Sequence, residues 1–512
     1  MSEKVVKLRI LHTNDHHGRY LPSSKGEYGM AARKTLIDKL RGEVKNTLLL
    51  SGGDINTGTM ESDIFDAEPD FLGMKAIGYD AMAIGNHEFD NSYKVLKKQQ
   101  ELAGFPFLAS NIFYKDKSTR PFAPYIVREL NGIRVGILGL TTKDTPPKAS
   151  HTDAKKLFDF KDIIIASKPI VKKLREIEKV DFVIAVTHVG HYGSATSNGD
   201  IDLAKKVSGI DVIVGGHSQE VINAEVHNET IIVQAQDWGK YVGALDLEIN
   251  VSNGIVKNST YELLPINMKK KVKGVYQLTS EKIPADKSMI KLFAPYKKKA
   301  EKVGNAAFGS IDKKLIGDRK LVRSIQMPVA QFMGAASYEK LRFDVMVLNG
   351  GSMRSGLEAG TITRKKLHKL HPYGNTLVSV KFTAEEVYDY IAAVTVFALK
   401  PLVERDGGYP HFMGVKLEIK NNKLQKIVAR DGSWSITKDV NGKVSSTKNN
   451  FILSTANFLA RGGDSFPILK NHSTYYDSGF MLNGAMIDYV GKRGQIRAKD
   501  FTVSDRDILI RK

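Results

Sequence analysis

Leu11-His12-Thr13-Asn14-Asp15-His16-His17-Gly18 decides how this chain is read. It follows residues 5–10, VVKLRI, an apolar-rich run that predicts a strand. An asparagine, an aspartate and two histidines then arrive together, where that strand would end. Carboxylate and imidazole beside a glycine suit the start of a metal site. Open α/β sheets place their ligands at the carboxyl ends of their strands. The reading therefore turns on whether other strands bring matching groups to the same edge.

Four more do. Residues 47–50 run into Ser51-Gly52-Gly53-Asp54, and residues 81–84 into Gly85-Asn86-His87-Glu88-Phe89-Asp90. Residues 182–186 run into Thr187-His188-Val189-Gly190-His191, and residues 211–214 into Gly215-Gly216-His217-Ser218-Gln219. A further strand, 133–140, ends in two threonines. Helical periodicity lies between the strands, as in 29–43 with Ala32, Leu36, Ile37 and Leu40 on one face. This alternation is that of a layered α/β domain. Asp15, His17, Asp54, Asn86, His188, His217 and Gln219 are the candidate ligands. They are too many N and O donors for one zinc-like ion and suit two. One carboxylate should bridge, because a shared anion screens two close dications. Asp15 has His17 beside it, so Asp54 is the better bridge. Singly, GGD is a turn, NHE a capped helix start and each histidine an ordinary core residue. Five strand ends carrying such groups set coincidence aside.

The rest of the composition narrows the chemistry. A chain of 512 residues is too long for one core and predicts two domains or more. It has no cysteine, so disulfides and thiolate ligands are excluded. No apolar run approaches the roughly 20 residues that span a bilayer. Residues 1–4 lead directly into the first strand with no secretory leader, which predicts a cytoplasmic protein if the chain is complete. The net charge of +20 includes lysine runs at 269–271 and 297–299 and the run Arg364-Lys365-Lys366. It reads first as a solvated surface and second as attraction to anions. No motif favours nucleic-acid polymers.

Residues 286–304, DKSMIKLFAPYKKKAEKVG, predict a helical connector that Pro295 would kink or restart. Beyond it, residues 317–323 are expected to open a helix that runs through Lys340. Arg319 and Arg323 would then share a helix face and suit an anion. Residues 343–348 predict a strand that ends in Asn349-Gly350-Gly351-Ser352-Met353-Arg354. His371-Pro372-Tyr373-Gly374-Asn375 precedes a strand at 376–380. A helix is expected over 385–398, a turn at Gly407-Gly408, a polar hairpin or loop over 433–450 and a buried strand at 451–455. The last leads into Asn457-Phe458-Leu459-Ala460-Arg461-Gly462-Gly463-Asp464.

TNDHHG, SGGD, GNHEFD, THVGHYG and GGHSQ, in this order, resemble the 5′-nucleotidase family, in its bacterial UDP-sugar hydrolase/5′-nucleotidase branch. Ile231 to Gly243, IIVQAQDWGKYVG, is similar to that family as well. The resemblance implies a four-layer α-β-β-α metallophosphatase domain (1–285), a linker helix (286–304) and a smaller α/β nucleotide-binding domain (305–512). It implies that Asp15, His17, Asp54 and Gln219 hold one divalent metal and Asp54, Asn86, His188 and His217 a second. Zinc, manganese or cobalt suits these donors, magnesium or calcium less closely. His87 and Asp90 would be a catalytic dyad, with the imidazolium stabilising charge on the phosphoryl oxygens and Asp90 orienting it. Arg319, Arg323 and Arg354 would bind the substrate phosphate, Tyr373 and Phe458 would stack on a base, and Asn375, Gly407 and Asp464 would hydrogen-bond base or ribose. Tyr373 replaces the family's usual phenylalanine, and Arg461 a small polar residue.

The expected activity is hydrolysis of nucleoside 5′-monophosphates, and of di- and triphosphates or UDP-sugars, by water activated between two metals. A closing motion would bring metal and substrate residues together, and the protein would act as a monomer. The resemblance implies a periplasmic or cell-surface setting. The alternatives are a 2′,3′-cyclic phosphodiesterase/3′-nucleotidase, a basic binding protein with a vestigial site, and a sulfur-ester hydrolase.

Overall fold

The computed structural model describes residues 5–149, 151–193, 196–250 and 254–511. Residues 1–4, on which the direct entry into the first strand rests, lie outside them. The chain divides into two compact units, Met1–Glu301 and Lys302–Lys512.

The first unit is built on two six-stranded sheets. In one, Val5–Thr13, Thr47–Ser51, Ala81–Ala83 and Phe107–Leu108 run parallel. Tyr241–Asn250 and Val256–Pro265 extend that sheet antiparallel beyond Val5–Thr13. In the other, Ile133–Thr141, Phe182–His188, Val212–Val214 and Thr230–Ala235 are parallel, with antiparallel strands at both edges.

Period-two alternation of side chains assigns the layers. Ile10, Leu48, Leu50 and Ala83 from one sheet meet Val135, Ile137, Ile184 and Val214 from the other in a single core. Their neighbours Leu11, Leu49 and Met82 point the opposite way, onto Leu36 and Ile37 of helix Met30–Glu43 and Phe71 and Met74 of helix Glu68–Ile77. Leu138, Val183 and Ile213 likewise turn outward onto Ile170, Val171 and Leu174 of helix Ile163–Glu176. The result is helix, sheet, sheet, helix. Strands covered on both faces must be apolar throughout, which is why the runs at 47–50 and 182–186 carry no polar alternation. Each fully buried leucine or isoleucine contributes about 1.5–3 kcal/mol.

Helix Lys287–Asn305 carries Pro295 in its interior and buries Met289 and Phe293 against the helical side of the first sheet. In the second unit, one five-stranded sheet contains Val345–Asn349, Asn450–Ala456 and Thr376–Thr383. A second five-stranded sheet takes in Ser435–Lys438 and Val444–Ser446, so the polar 433–450 excursion is a hairpin added to a sheet edge. The helix expected from 317 to 340 is not continuous. Leu321–Arg323 is a single 3-10 turn, and the α-helix starts only at Pro328. A proline forces the residue before it into extended backbone, and Met327 has φ −125° and ψ 146°. Arg319 and Arg323 therefore do not share an α-helical face.

Candidate active site

The five expected strand ends converge in the first unit. Asp54, after Thr47–Ser51, is 2 % exposed, and its Oδ2 lies 2.9 Å from His188 Nε2 and 3.9 Å from His17 Nε2. His17 Nε2 is also 3.9 Å from Asp15 Oδ1 and 3.0 Å from the Gln219 side-chain amide. His217 Nδ1 lies 3.2 Å from His188 Nε2, and its backbone N–H donates to Asp15 Oδ2 at 2.9 Å. Among the described residues, two groups have donor atoms close enough for one ion: His17, Asp54 and His87, and Asp54, His188 and His217. Asp54 belongs to both.

Asp15, His17, Asp54, His217 and Gln219 all have φ between 50° and 75°. Left-handed backbone at a non-glycine residue is sparsely populated and costs on the order of 1 kcal/mol or more. The turns that aim these side chains at the edge are thus made by the candidate ligands themselves, beyond the glycines beside them. Gly53, with φ 86°, shares in the turn before Asp54, and other glycines serve close approach. A Cβ on Gly85 would lie 2.0 Å from Asp54 Oδ1, and one on Gly52 would lie 2.5 Å from the Gly215 carbonyl oxygen.

These residues fit divalent cations. Asp15 Oδ1 and Asn86 Oδ1 are buried and accept no hydrogen bond from a described residue, an unfavourable state for polar oxygens unless a cation takes them. His188 Nδ1 donates to the Gly52 carbonyl at 2.6 Å and His17 Nδ1 to the Thr57 carbonyl at 3.0 Å. Each such bond fixes the tautomer and leaves Nε2 free as a ligand atom. Burial pushes the Asp15 carboxyl up to about 7, with the Asp54 charge adding to it. A nearby dication would restore the anion. Burial also opposes the Asp54 charge, but His188 and His87 overcome it and hold Asp54 well below the usual range.

Beside Asp54, His87 begins a 3-10 turn, His87–Phe89. Its backbone N–H donates to Asp54 Oδ1 at 2.9 Å, and its Nδ1 donates to Asp90 Oδ2 at 2.6 Å. The Thr57 hydroxyl donates to the same Asp90 oxygen at 2.6 Å. Burial disfavours charge on His87, yet Asp90 and Asp54 outweigh it and push it up to about 10.

Three supporting groups escaped the sequence reading. Glu88 is fully buried and accepts backbone N–H groups from Asp54 (3.0 Å), Ile55 (2.7 Å) and Gly85 (2.7 Å), tying two ligand loops together. The NHE motif displayed it, but helix capping accounted for it locally. His16 sits between Asp70 (3.0 Å) and Arg33 (3.1 Å) in a buried polar line beneath Asp15 and His17. Lys148 places Nζ 2.8 Å from His217 Nε2. It comes from the segment after Ile133–Thr141, the strand whose end showed only threonines. For both, no short-range pattern signals the partner.

In the second unit, Arg323 is partly buried and its Nε donates to no described residue. Burial and the neighbouring Arg319 and Arg354 lower its pKa, with Tyr373 and Asp406 opposing. The three arginines are therefore brought together, although not by a shared helix. Asp464, φ 51°, accepts from Asn349 Nδ2 at 2.6 Å, and the Gly407 carbonyl accepts from the Gly351 N–H at 2.7 Å. Tyr373 and Phe458 are 38 % and 43 % exposed, unlike core aromatics. Asn375 accepts the Leu482 N–H through its backbone carbonyl.

Residues 8–220 match the calcineurin-like phosphoesterase family, and residues 307–471 match the 5′-nucleotidase C-terminal domain. The chain is 38 % identical to a 5′-nucleotidase of Vibrio cholerae, with 98 % of this chain and 93 % of that protein covered. It is 37 % identical to protein UshA of Escherichia coli over 96 % of this chain and 92 % of that one. Among solved structures, the NAD nucleotidase of Haemophilus influenzae shares the fold with a TM-score of 0.76 at 21 % identity, over 99 % of both chains. Paired sheets, converging strand ends and near full-length likeness agree: the chain belongs to the 5′-nucleotidase family of calcineurin-like phosphoesterases, metal-dependent phosphoric ester hydrolases.

Proposed function

We propose that the protein hydrolyses nucleoside 5′-monophosphates to nucleoside and phosphate, and accepts nucleoside di- and triphosphates and UDP-sugars at the same centre. The observation that carries this reading is the buried Asp54 carboxylate within reach of His17 and of His188 and His217, with the His87–Asp90 pair against it. Asp15, His17, Asp54 and Gln219 would hold one cation, and Asp54, Asn86, His188 and His217 the other. Zinc, manganese or cobalt is the natural choice for this N/O set. When bound, such cations supply a nucleophilic water at neutral pH and charge stabilisation for an in-line displacement.

The chain's own residues do the rest. His87, charged through Asp90, offers its Nε2–H to a phosphoryl oxygen and stabilises the charge that builds there. Asp90 and Thr57 hold that imidazole in one orientation. Water oxygen bonds to phosphorus as the water gives up a proton, the ester P–O bond breaks, and the leaving nucleoside oxygen takes up a proton, giving nucleoside and phosphate. In the second unit, Arg319, Arg323 and Arg354 suit an anionic group of the nucleotide. The exposed rings of Tyr373 and Phe458 suit a base with little sequence preference, and Asp464 and Gly407 a ribose or base edge.

A substrate panel of AMP, UMP, ATP, UDP-glucose and 2′,3′-cyclic AMP, run with each divalent metal and with EDTA, tests the proposal. Phosphate release from the 5′-monophosphates, abolished by EDTA, is expected. Activity confined to the cyclic substrate, or turnover indifferent to EDTA, would refute it.

A further inference from the structure

Lys269–Val272 and Val275–Leu278 form a two-stranded sheet of their own. The register pairs Lys271 with Tyr276 and Val272 with Val275. The turn is Lys273-Gly274, with φ of 46° and 86°, the left-handed pair that closes a two-residue hairpin. An isolated hairpin is marginal in water and normally gains stability by packing one face. Among the described residues, no side chain of this hairpin joins a core cluster. It is tethered instead at its base, where the Lys269 N–H donates to Glu27 Oε1 at 3.2 Å, and by Lys25, whose ammonium lies 4.1 Å from the centre of the Tyr276 ring.

The residues beside the turn are apolar and their surroundings are cationic. Val275 is 62 % exposed and Tyr276 50 % exposed. Lys25, Lys270, Lys271 and Lys273 are exposed around them, and none makes an ion pair with a described residue. A solvated surface accounts for the lysines. It does not account for an exposed valine and tyrosine, with the half-buried Val272 paired to that valine, on a hairpin whose side chains join no core cluster among the described residues.

We propose that the 269–278 hairpin docks the protein on an anionic lipid bilayer. Val272, Val275 and Tyr276 would enter the headgroup boundary, where aromatic and short apolar side chains are favoured. Lys25, Lys270, Lys271 and Lys273 would face the lipid phosphates, on a chain whose net charge is +20. An anionic polymer matches the charge but gives the valine pair no partner. The bilayer satisfies both. The inference stands on the hairpin alone and is independent of the reaction catalysed.

The full chain is floated with phosphatidylcholine vesicles and with vesicles half phosphatidylglycerol, at 50 and 500 mM salt. Binding is expected only to the anionic vesicles and only at low salt. Replacing Lys270, Lys271 and Lys273 together by serine should lower partitioning on the order of a hundredfold, with an unchanged melting temperature. A Val275→Trp variant, which keeps the hairpin, should show a blue-shifted emission on the anionic vesicles. Absent vesicle binding, equal binding of the triple variant, an unshifted tryptophan, or binding to heparin but not to vesicles would each overturn the proposal.

Discussion

At His87, burial and charge oppose each other, and the charge is retained because Asp90 accepts from Nδ1 at 2.6 Å. Replacing His87 with asparagine should reduce turnover roughly 10²–10³-fold while leaving metal content, read by elemental analysis, near the wild-type value. A site emptied of metal would make His87 a ligand instead. The same pair predicts a pH dependence. The folded-state value of about 10 lies above the ordinary value of 6.5. The folded chain therefore binds this proton more tightly than the unfolded chain. The stability it contributes is fully present below about pH 6.5 and is lost as pH rises through about 10. Melting curves of metal-free wild type and His87→Asn should differ most near pH 6 and converge toward pH 10. A gap that widens with pH contradicts the charged pair.

Between elements, Glu88 acts as a staple for two ligand loops. Both of its oxygens accept backbone N–H groups, so a glutamine in its place would have to aim an NH₂ at a donor. Glu88→Gln should cost about 1–3 kcal/mol by chemical denaturation and weaken metal retention in a chelator competition. Unchanged retention would mean that the Asp54 and Asn86 loops hold their shape without it. The strand-end motifs were legible because each is local: an apolar run, a glycine, then donors. The segment 317–340 was misread because its helical composition is interrupted by Pro328, which confines Met327 to extended backbone. Left-handed backbone at Asp15, His17, Asp54, His217 and Gln219 was not legible at all. Nothing in the identity of an aspartate or histidine announces that its surroundings will hold it at positive φ.

Across the whole molecule, each unit has its own cores, so two melting transitions are expected. Metal at a hundredfold its dissociation constant adds about 2.7 kcal/mol to the state that binds it. Manganese or zinc should therefore raise one transition by several degrees and leave the other in place. A common shift of both would mean that the units unfold together. Arg323→Ala and Tyr373→Ala should raise KM for AMP about tenfold or more while preserving the metal-dependent shift, which separates nucleotide binding from metal binding. Loss of that shift would assign these residues a structural role.

By itself the sequence determined the layered α/β architecture and the chemical kinds gathered at the strand ends. Both follow from short-range rules: the period of apolar residues, the glycine that permits a turn, the donor that follows it. The tertiary structure supplied the distances that bring Asp54, expected as the bridge, within reach of both groups of donors, and it alone revealed Glu88, His16 and Lys148 beside them. Those are distances between segments tens to hundreds of residues apart, set by how two sheets pack face to face.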